Sequence, residues 1–345
     1  MLPVPRLRHL APRQLREALS LLEQGSRGRT APDGDGAERR GPVLPIAGGT
    51  DLVPNLKHRL HDVELLVDLT RLEDPHLRGV REHDGRLHLG ALTSLAAAAA
   101  DPLLRARHPA LAGVYRQIGS PQLRNMGTVG GNLCLDTRCS YVNQTAFWRA
   151  ALGHCLKRKG TACHVVPGGT RCVAACSSDG ATLLTALGAE ARVEGLGGDR
   201  WTPVESLLQS EGRRHLAIDP GELVTELRLP VAAAGQVAGY EKLRLRAAID
   251  FPMLSVAAVA ELEPTGACRS LRVVVSALGA RPRVVTGLES LVAGRPLDDA
   301  AQERVAAQAH RQCHPLPNIA ADPAWRRAMV PVLVRRALRR AVGSP

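Results

Sequence analysis

Leu15, Leu19 and Leu22 recur at helical spacing among polar residues, so residues 12–24 predict an amphipathic helix with Pro12 in its first turn. The stretch 25–41 is polar, holds Asp33-Gly34-Asp35-Gly36 and reads as a surface loop. A short apolar run at 43–47 predicts a strand entering a glycine turn, and 50–60 predicts a helix with Thr50 or Asp51 at its N-terminus and Pro54 in its first turn. Strands follow at 64–69 and 86–92. Alanine-rich 93–100 reads as a helix capped by Thr93 or Ser94, and 110–118 as another, ending in Gly119-Ser120-Pro121.

Regular periods lapse after residue 132 and resume, strand-like and helical, at 181–193. A strand at 222–229 ends at Pro230, and the small residues at 231–236 mark a domain boundary. Beyond it, 239–245, 255–262 and 270–278 predict three antiparallel strands. A helix at 300–309 has Asp298 or Asp299 as cap. Another at 324–342 is expected to kink or restart at Pro331. The strands and helices of this final block predict an α+β domain. Its last helix is basic, and Met329, Val332, Leu333, Ala337 and Leu338 fit a packed core better than a membrane surface.

The 345 residues suffice for two or three cores, and 45% hydrophobic content fits a globular chain. No apolar run approaches the roughly 18 residues that span a bilayer, and residues 1–14 lack the features of a secretory signal. The expectation is a cytoplasmic protein with reduced thiols. Net charge is +12, but the arginines are dispersed and aromatics make up only 2%, which argues against nucleic acid. The excess suits a solvated surface, or steering of an acidic protein partner. A Ser-His-Asp order, a P-loop and an HExxH are all missing, and Glu73-Asp74 reads as a solvated turn before Pro75.

Two glycine runs carry candidate chemistry: Ala47-Gly48-Gly49-Thr50-Asp51 and Gly127-Thr128-Val129-Gly130-Gly131-Asn132. Neither is GxGxxG, so a nicotinamide site of the Rossmann type is not supported. Glycine lets backbone amides approach a ligand closely, and two such turns suit the two sides of a dinucleotide. Between Cys134 and Cys176 lie six of the eight cysteines. Cys139, Cys155, Cys163 and Cys172 are separated by 15, 7 and 8 residues, with Gly160, Pro167, Gly168 and Gly169 between them. No CxxC knuckle of the zinc type occurs here. An iron–sulfur cluster, zinc and unligated thiols all remain open, with Cys134, Cys176, His154 and His164 as further candidate ligands.

Ala47-Gly48-Gly49-Thr50-Asp51-Leu52 and Arg124-Asn125-Met126-Gly127-Thr128-Val129-Gly130-Gly131-Asn132 resemble the FAD-binding subunits of the molybdenum hydroxylases. The likeness runs nearly end to end, through Leu89-Gly90-Ala91-Leu92-Thr93, Lys242, Trp325-Arg326-Arg327 and 332–338. Residues 132–139 and 167–172 are similar to one branch, the β subunits of 4-hydroxybenzoyl-CoA reductases, whose inserted loop carries a 4Fe–4S cluster.

The resemblance implies a two-part FAD-binding domain at 1–231, with subdomains at about 1–60 and 61–231, an iron–sulfur loop at about 134–176 and a C-terminal α+β domain at 237–342. FAD would lie between the two subdomains. Its contacts would be Pro45, Ile46, Ala47, Gly48, Gly49, Thr50, Asp51, Leu52 and Val53, then Ile118, Thr128, Val129, Gly130, Gly131 and Asn132, with Asp179, Val224 and Lys242 completing the set. Cluster ligands would be Cys139, Cys155, Cys163 and Cys172. Implied partners are a small 2Fe–2S subunit, a large molybdenum-cofactor subunit and ferredoxin as electron donor. Substrate chemistry is expected on another chain. Readings kept beside this one are the flavin subunit of a different molybdenum hydroxylase and a zinc-binding scaffold protein.

Overall fold

The computed structural model describes residues 2–27 and 43–343, and the polar run at 25–41 lies outside them beyond Arg27. Strands Arg8–Leu10, Leu65–Asp68 and Val43–Ile46 form a parallel three-stranded sheet with Leu65–Asp68 in the middle. Helix Leu15–Arg27 buries Leu15, Leu19 and Leu22 against it. Pro12 stands ahead of this helix, outside the expected first turn. The start is set instead by Asp74, whose Oδ2 accepts the Leu15 N–H at 3.1 Å, while Glu73 pairs with Arg13 at 2.9 Å. The acidic pair is thus a structural turn.

The central part is a five-stranded antiparallel sheet in the order Val80–His83, Arg86–Gly90, Leu223–Leu229, Glu190–Gly195, Gly198–Pro203. Its two outer strands carry mostly polar, solvent-facing residues, so no apolar alternation announced them. Short helices cover the inner face. Among them Asp179–Ala186 is buried along its whole length and has no polar face to give it a helical period. Ser94, not Thr93, caps Leu95–Ala100, accepting the Ala97 N–H at 3.1 Å, while Thr93 donates to the Gly79 carbonyl.

The C-terminal part pairs Gln236–Leu243, Leu254–Leu262 and Ala267–Ser276 antiparallel. Leu254–Leu262 is buried on both faces: Val256 and Ala258 pack on the C-terminal helices, Ala257 and Val259 on the central core. That sandwiching explains its nearly unbroken apolar run. Asp298 caps Asp299–Gln312. The last helix, Pro323–Ala341, continues through Pro331 without a restart. Proline costs about 3 kcal/mol inside a helix, and buried Val330, Leu333, Val334, Ala337 and Leu338 outweigh that at about 1.5–3 kcal/mol for each larger side chain. Among the described residues no helix is long and apolar enough to cross a membrane.

Wholly buried Arg326 fastens this helix, donating to the carbonyls of Met253 (2.9 Å), Leu316 (2.8 Å) and Ala277. Burial lowers its pKa to about 10, still charged at neutral pH. Buried Asn318 donates to the carbonyls of Val173 (2.6 Å) and Leu278 (3.1 Å), and its own carbonyl accepts the Ser140 N–H at 2.7 Å. The cysteine segment is thereby docked on the C-terminal domain.

Candidate functional site

A cleft of about 1520 Å³ opens where the three parts meet. Its walls come from the first glycine turn, the second glycine run, residues 213–224, and Ile249, Asp250 and Phe251 of the C-terminal domain. The cleft is therefore not confined to the first two parts, as the resemblance implied. Gly48 explains how the two glycine runs come together: a Cβ there would fall 1.9 Å from the Met126 carbonyl oxygen. Gly49 adopts φ +68°, open to glycine at no steric cost. The chain then turns into helix Leu52–Lys57, shorter than the expected 50–60.

The two runs differ in their backbone donors. The N–H groups of Gly48, Gly49 and Thr50 make no hydrogen bond to another described residue. Such unpaired amides on a cleft wall suit anionic oxygens. In the second run Val129 N–H donates to Thr93 (2.9 Å), Gly130 N–H to Ala91 (2.8 Å) and Gly131 N–H to the Thr128 hydroxyl (3.0 Å). In that run these three backbone donors are already spent. Asn132 Oδ1 accepts from the Gly180 N–H and the Ser178 hydroxyl, both at 3.1 Å, so its side chain braces the helix behind.

At the cleft floor Asp179 stands in the first turn of Asp179–Ala186, where a helix dipole favours a carboxylate. Tyr240 donates to its Oδ1 at 2.6 Å and Lys242 to its Oδ2 at 2.9 Å. The Lys242 and Asp179 side chains are 1% and 4% exposed, so neither is the surface charge it could have been. Burial, and then the Asp179 carboxylate, push the Tyr240 phenol well above its usual range.

Of the residues singled out in the sequence, Pro45 to Leu52, Ile118, Thr128, Gly130, Gly131, Asn132, Asp179 and Val224 line the cleft. Val53, Val129 and Lys242 do not: Val53 extends the helix by bonding Gly49, Val129 is buried in the core, and Lys242 reaches the cleft only through Asp179. Arg138 and Phe251 also line it and were not anticipated, since no periodicity marks a lone arginine or a loop phenylalanine. The Asp51 carboxylate does not cap its helix; it is held by Arg138 and by Asn55 at 2.9 Å.

The six clustered cysteines divide by location. Cys139, Cys155, Cys163 and Cys172 line one small pocket with Tyr141, Val142, Leu156, His164 and Val165. Cys134 lies on the cleft wall instead, and Cys176 in the central core. Burial raises the Cys139 thiol and pushes Cys172 up to about 11, which a bound cation would reverse. Among the described residues no three His, Cys, Asp or Glu side chains are grouped to hold a single metal ion. Lys157 closes the pocket from behind, donating to Asp136 and the Gly212 carbonyl at 2.8 Å each. Tyr141 packs tilted against Trp148, with ring centres 6.3 Å apart.

The family described as the FAD binding domain in molybdopterin dehydrogenase matches residues 5–232, and the CO dehydrogenase flavoprotein C-terminal domain matches 238–341. The carbon monoxide dehydrogenase medium chain of Hydrogenophaga pseudoflava is 28% identical over 343 residues, 99% of this chain and 98% of that one. The nicotinate dehydrogenase FAD-subunit of Eubacterium barkeri is 24% identical, over 83% of this chain and 79% of that one. Among solved structures, a carbon monoxide dehydrogenase of Hydrogenophaga pseudoflava lacking the Mo-pyranopterin moiety superposes with a TM-score of 0.77 at 25% identity, over 99% of both chains.

Proposed function

The chain belongs to the FAD-binding subunits of the molybdenum hydroxylases, of the carbon monoxide dehydrogenase medium chain type, and from that premise we propose that it relays electrons through FAD and a 4Fe–4S cluster in a 4-hydroxybenzoyl-CoA reductase. FAD binding follows from the family, and the cleft suits it in volume and in its unpaired amides. Bound there, FAD would exchange electrons singly and in pairs, while the protein supplies position and electrostatics. The amides of Gly48, Gly49 and Thr50 would receive the diphosphate. Ile118 and Val224 would pack on the cofactor, and Asp179, fixed by Tyr240 and Lys242, would accept a hydrogen bond from a hydroxyl group. Lys242 would act through Asp179. We take 1–231 as the FAD-binding domain, with its cysteine segment at 134–176, and 237–342 as the C-terminal domain; the family matches at 5–232 and 238–341 support this division.

One observation carries the iron reading: Cys139, Cys155, Cys163 and Cys172 line a single pocket that excludes the other two clustered thiols. Tetrahedral zinc holds thiolates at about 2.3 Å, which brings them within about 4 Å of one another. A 4Fe–4S cluster binds each thiolate through a different iron, so its ligands stand further apart. Four thiols that share one pocket without being grouped for a single ion suit the cluster better than zinc. The family match sets the zinc scaffold aside.

Of the lysines and arginines in the cysteine segment, Lys159 and Arg171 are exposed and Arg158 is half-buried, and Phe147 is 85% exposed beside Trp148. Exposed basic and aromatic side chains on this segment support an acidic electron-transfer protein such as ferredoxin as donor. Onward partners would be a small 2Fe–2S subunit and a large molybdenum-cofactor subunit, where the substrate would be bound. A second reading, the flavin subunit of a hydroxylase acting on another substrate, draws on the varied activities named for the relatives. Anaerobic purification tests the proposal: about four irons per FAD are expected, as one such cluster requires. Cys172→Ser should lose the iron and keep the FAD. A flavin-yellow wild-type chain without iron would leave only the second reading, and loss of FAD together with iron would make the segment a structural loop.

A further inference from the structure

Arg138 stands where the cleft meets the cysteine segment. Its backbone closes the base of that segment: its N–H donates to the Ala175 carbonyl at 2.8 Å, and its carbonyl accepts the Ala175 N–H at 2.6 Å. The next residue, Cys139, lines the thiol pocket. The guanidinium itself belongs to the cleft wall. Nη2 donates to Asp51 Oδ1, and the guanidinium carbon lies 3.9 Å from the centre of the Phe251 ring. Its Nε is buried without a hydrogen-bond partner among the described residues.

Asp51 needs this cation. Its carboxylate lies in the turn whose N–H groups are the unpaired donors of the cleft, and a bare negative charge there would repel a diphosphate. Asn55 contributes a neutral hydrogen bond, which orients the carboxylate without cancelling its charge. Phe251 comes from the C-terminal domain, so one side chain joins the glycine turn, the cysteine segment and the third wall of the cleft.

We propose that Arg138 is a charge-balancing positioning residue for the FAD diphosphate: it neutralises Asp51 in the first glycine turn, and stacking on Phe251 holds its plane against the cleft. This rests on FAD binding and not on the iron cluster, so iron content has no bearing on it. The test is the FAD dissociation constant of the full chain, read by flavin fluorescence over a range of salt concentrations. Arg138→Met should raise it by about tenfold or more, the worth of one lost charge-assisted contact. Asp51→Asn added to Arg138→Met should restore affinity to within about threefold of wild type, because the exposed carboxylate is gone. Arg138→Lys, which keeps the charge, should stay within about threefold and lose affinity more steeply with salt. A wild-type constant for Arg138→Met overturns the proposal, as does a double variant no better than the single. Should Arg138→Met fail to fold, Arg138→Lys decides, and a tenfold loss independent of salt would refute the charge-balancing role.

Discussion

The cleft and the thiol pocket meet at Arg138 and are built on opposite principles. The cleft draws its walls from residues as far apart as Val43 and Phe251, and its distinctive donors are backbone amides. The pocket draws its wall from 139–174 alone, and its distinctive groups are side-chain thiols. A backbone site depends on how closely chains approach, so adding a single Cβ can spoil it. A thiol site depends on side-chain identity and tolerates backbone shifts that the other does not. The two should therefore fail separately.

The largest expected effect lies at the cleft floor. Among the described residues, Lys242→Met leaves the 4%-exposed Asp179 with only Tyr240 as a side-chain partner, and breaking a buried pair from one side costs about 3–5 kcal/mol. Chemical denaturation should show a loss of that size, and Asp179→Asn on the same background should recover most of it. A loss under about 1 kcal/mol would mean that water already reaches the pair. Iron bound per folded chain should not change.

Gly48→Ala comes next. Its Cβ would need the Met126 carbonyl to retreat, and overpacking of this kind costs about 1–3 kcal/mol. Applied to the bound state, that weakens FAD by about tenfold to a hundredfold. Titration should find weak flavin binding beside normal iron content. If the iron falls with the flavin, the cleft and the pocket share one backbone framework and do not fail separately.

Sequence legibility followed the same divide. The glycine runs, the three C-terminal strands and Ser94 as a candidate cap were readable because spacing and residue type act locally there. Val43–Ile46 was legible as an apolar run leading into glycines. The outer strands Val80–His83 and Gly198–Pro203 were not, because polar strands at a sheet edge carry no alternation. Likewise hidden was the occupation of the second run's amides, which is settled by Ala91 and Thr93 from another loop. Asp51 was named as a helix start and does begin one, but its carboxylate is spent on Arg138, 87 residues away. Spacing alone left six cysteines open as ligands; the family resemblance named four, and those four are the ones that line the pocket.

Cys134 offers the smallest and most discriminating effect. It is half-buried at the end of helix Val129–Leu133, where its own N–H is bonded to the Gly130 carbonyl at 2.9 Å. Ser is nearly its size and leaves that backbone bond alone, so Cys134→Ser should cost under about 1 kcal/mol by thermal unfolding. FAD affinity should stay within about threefold of wild type, the wall losing only a sulfur. Iron should be unaffected, since this thiol faces the cleft and four others line the pocket. Iron lost from Cys134→Ser but retained in Cys163→Ser would place a ligand on the cleft side of Arg138. The two sites would then be one continuous centre, and the separation between backbone-built and thiol-built regions would no longer hold.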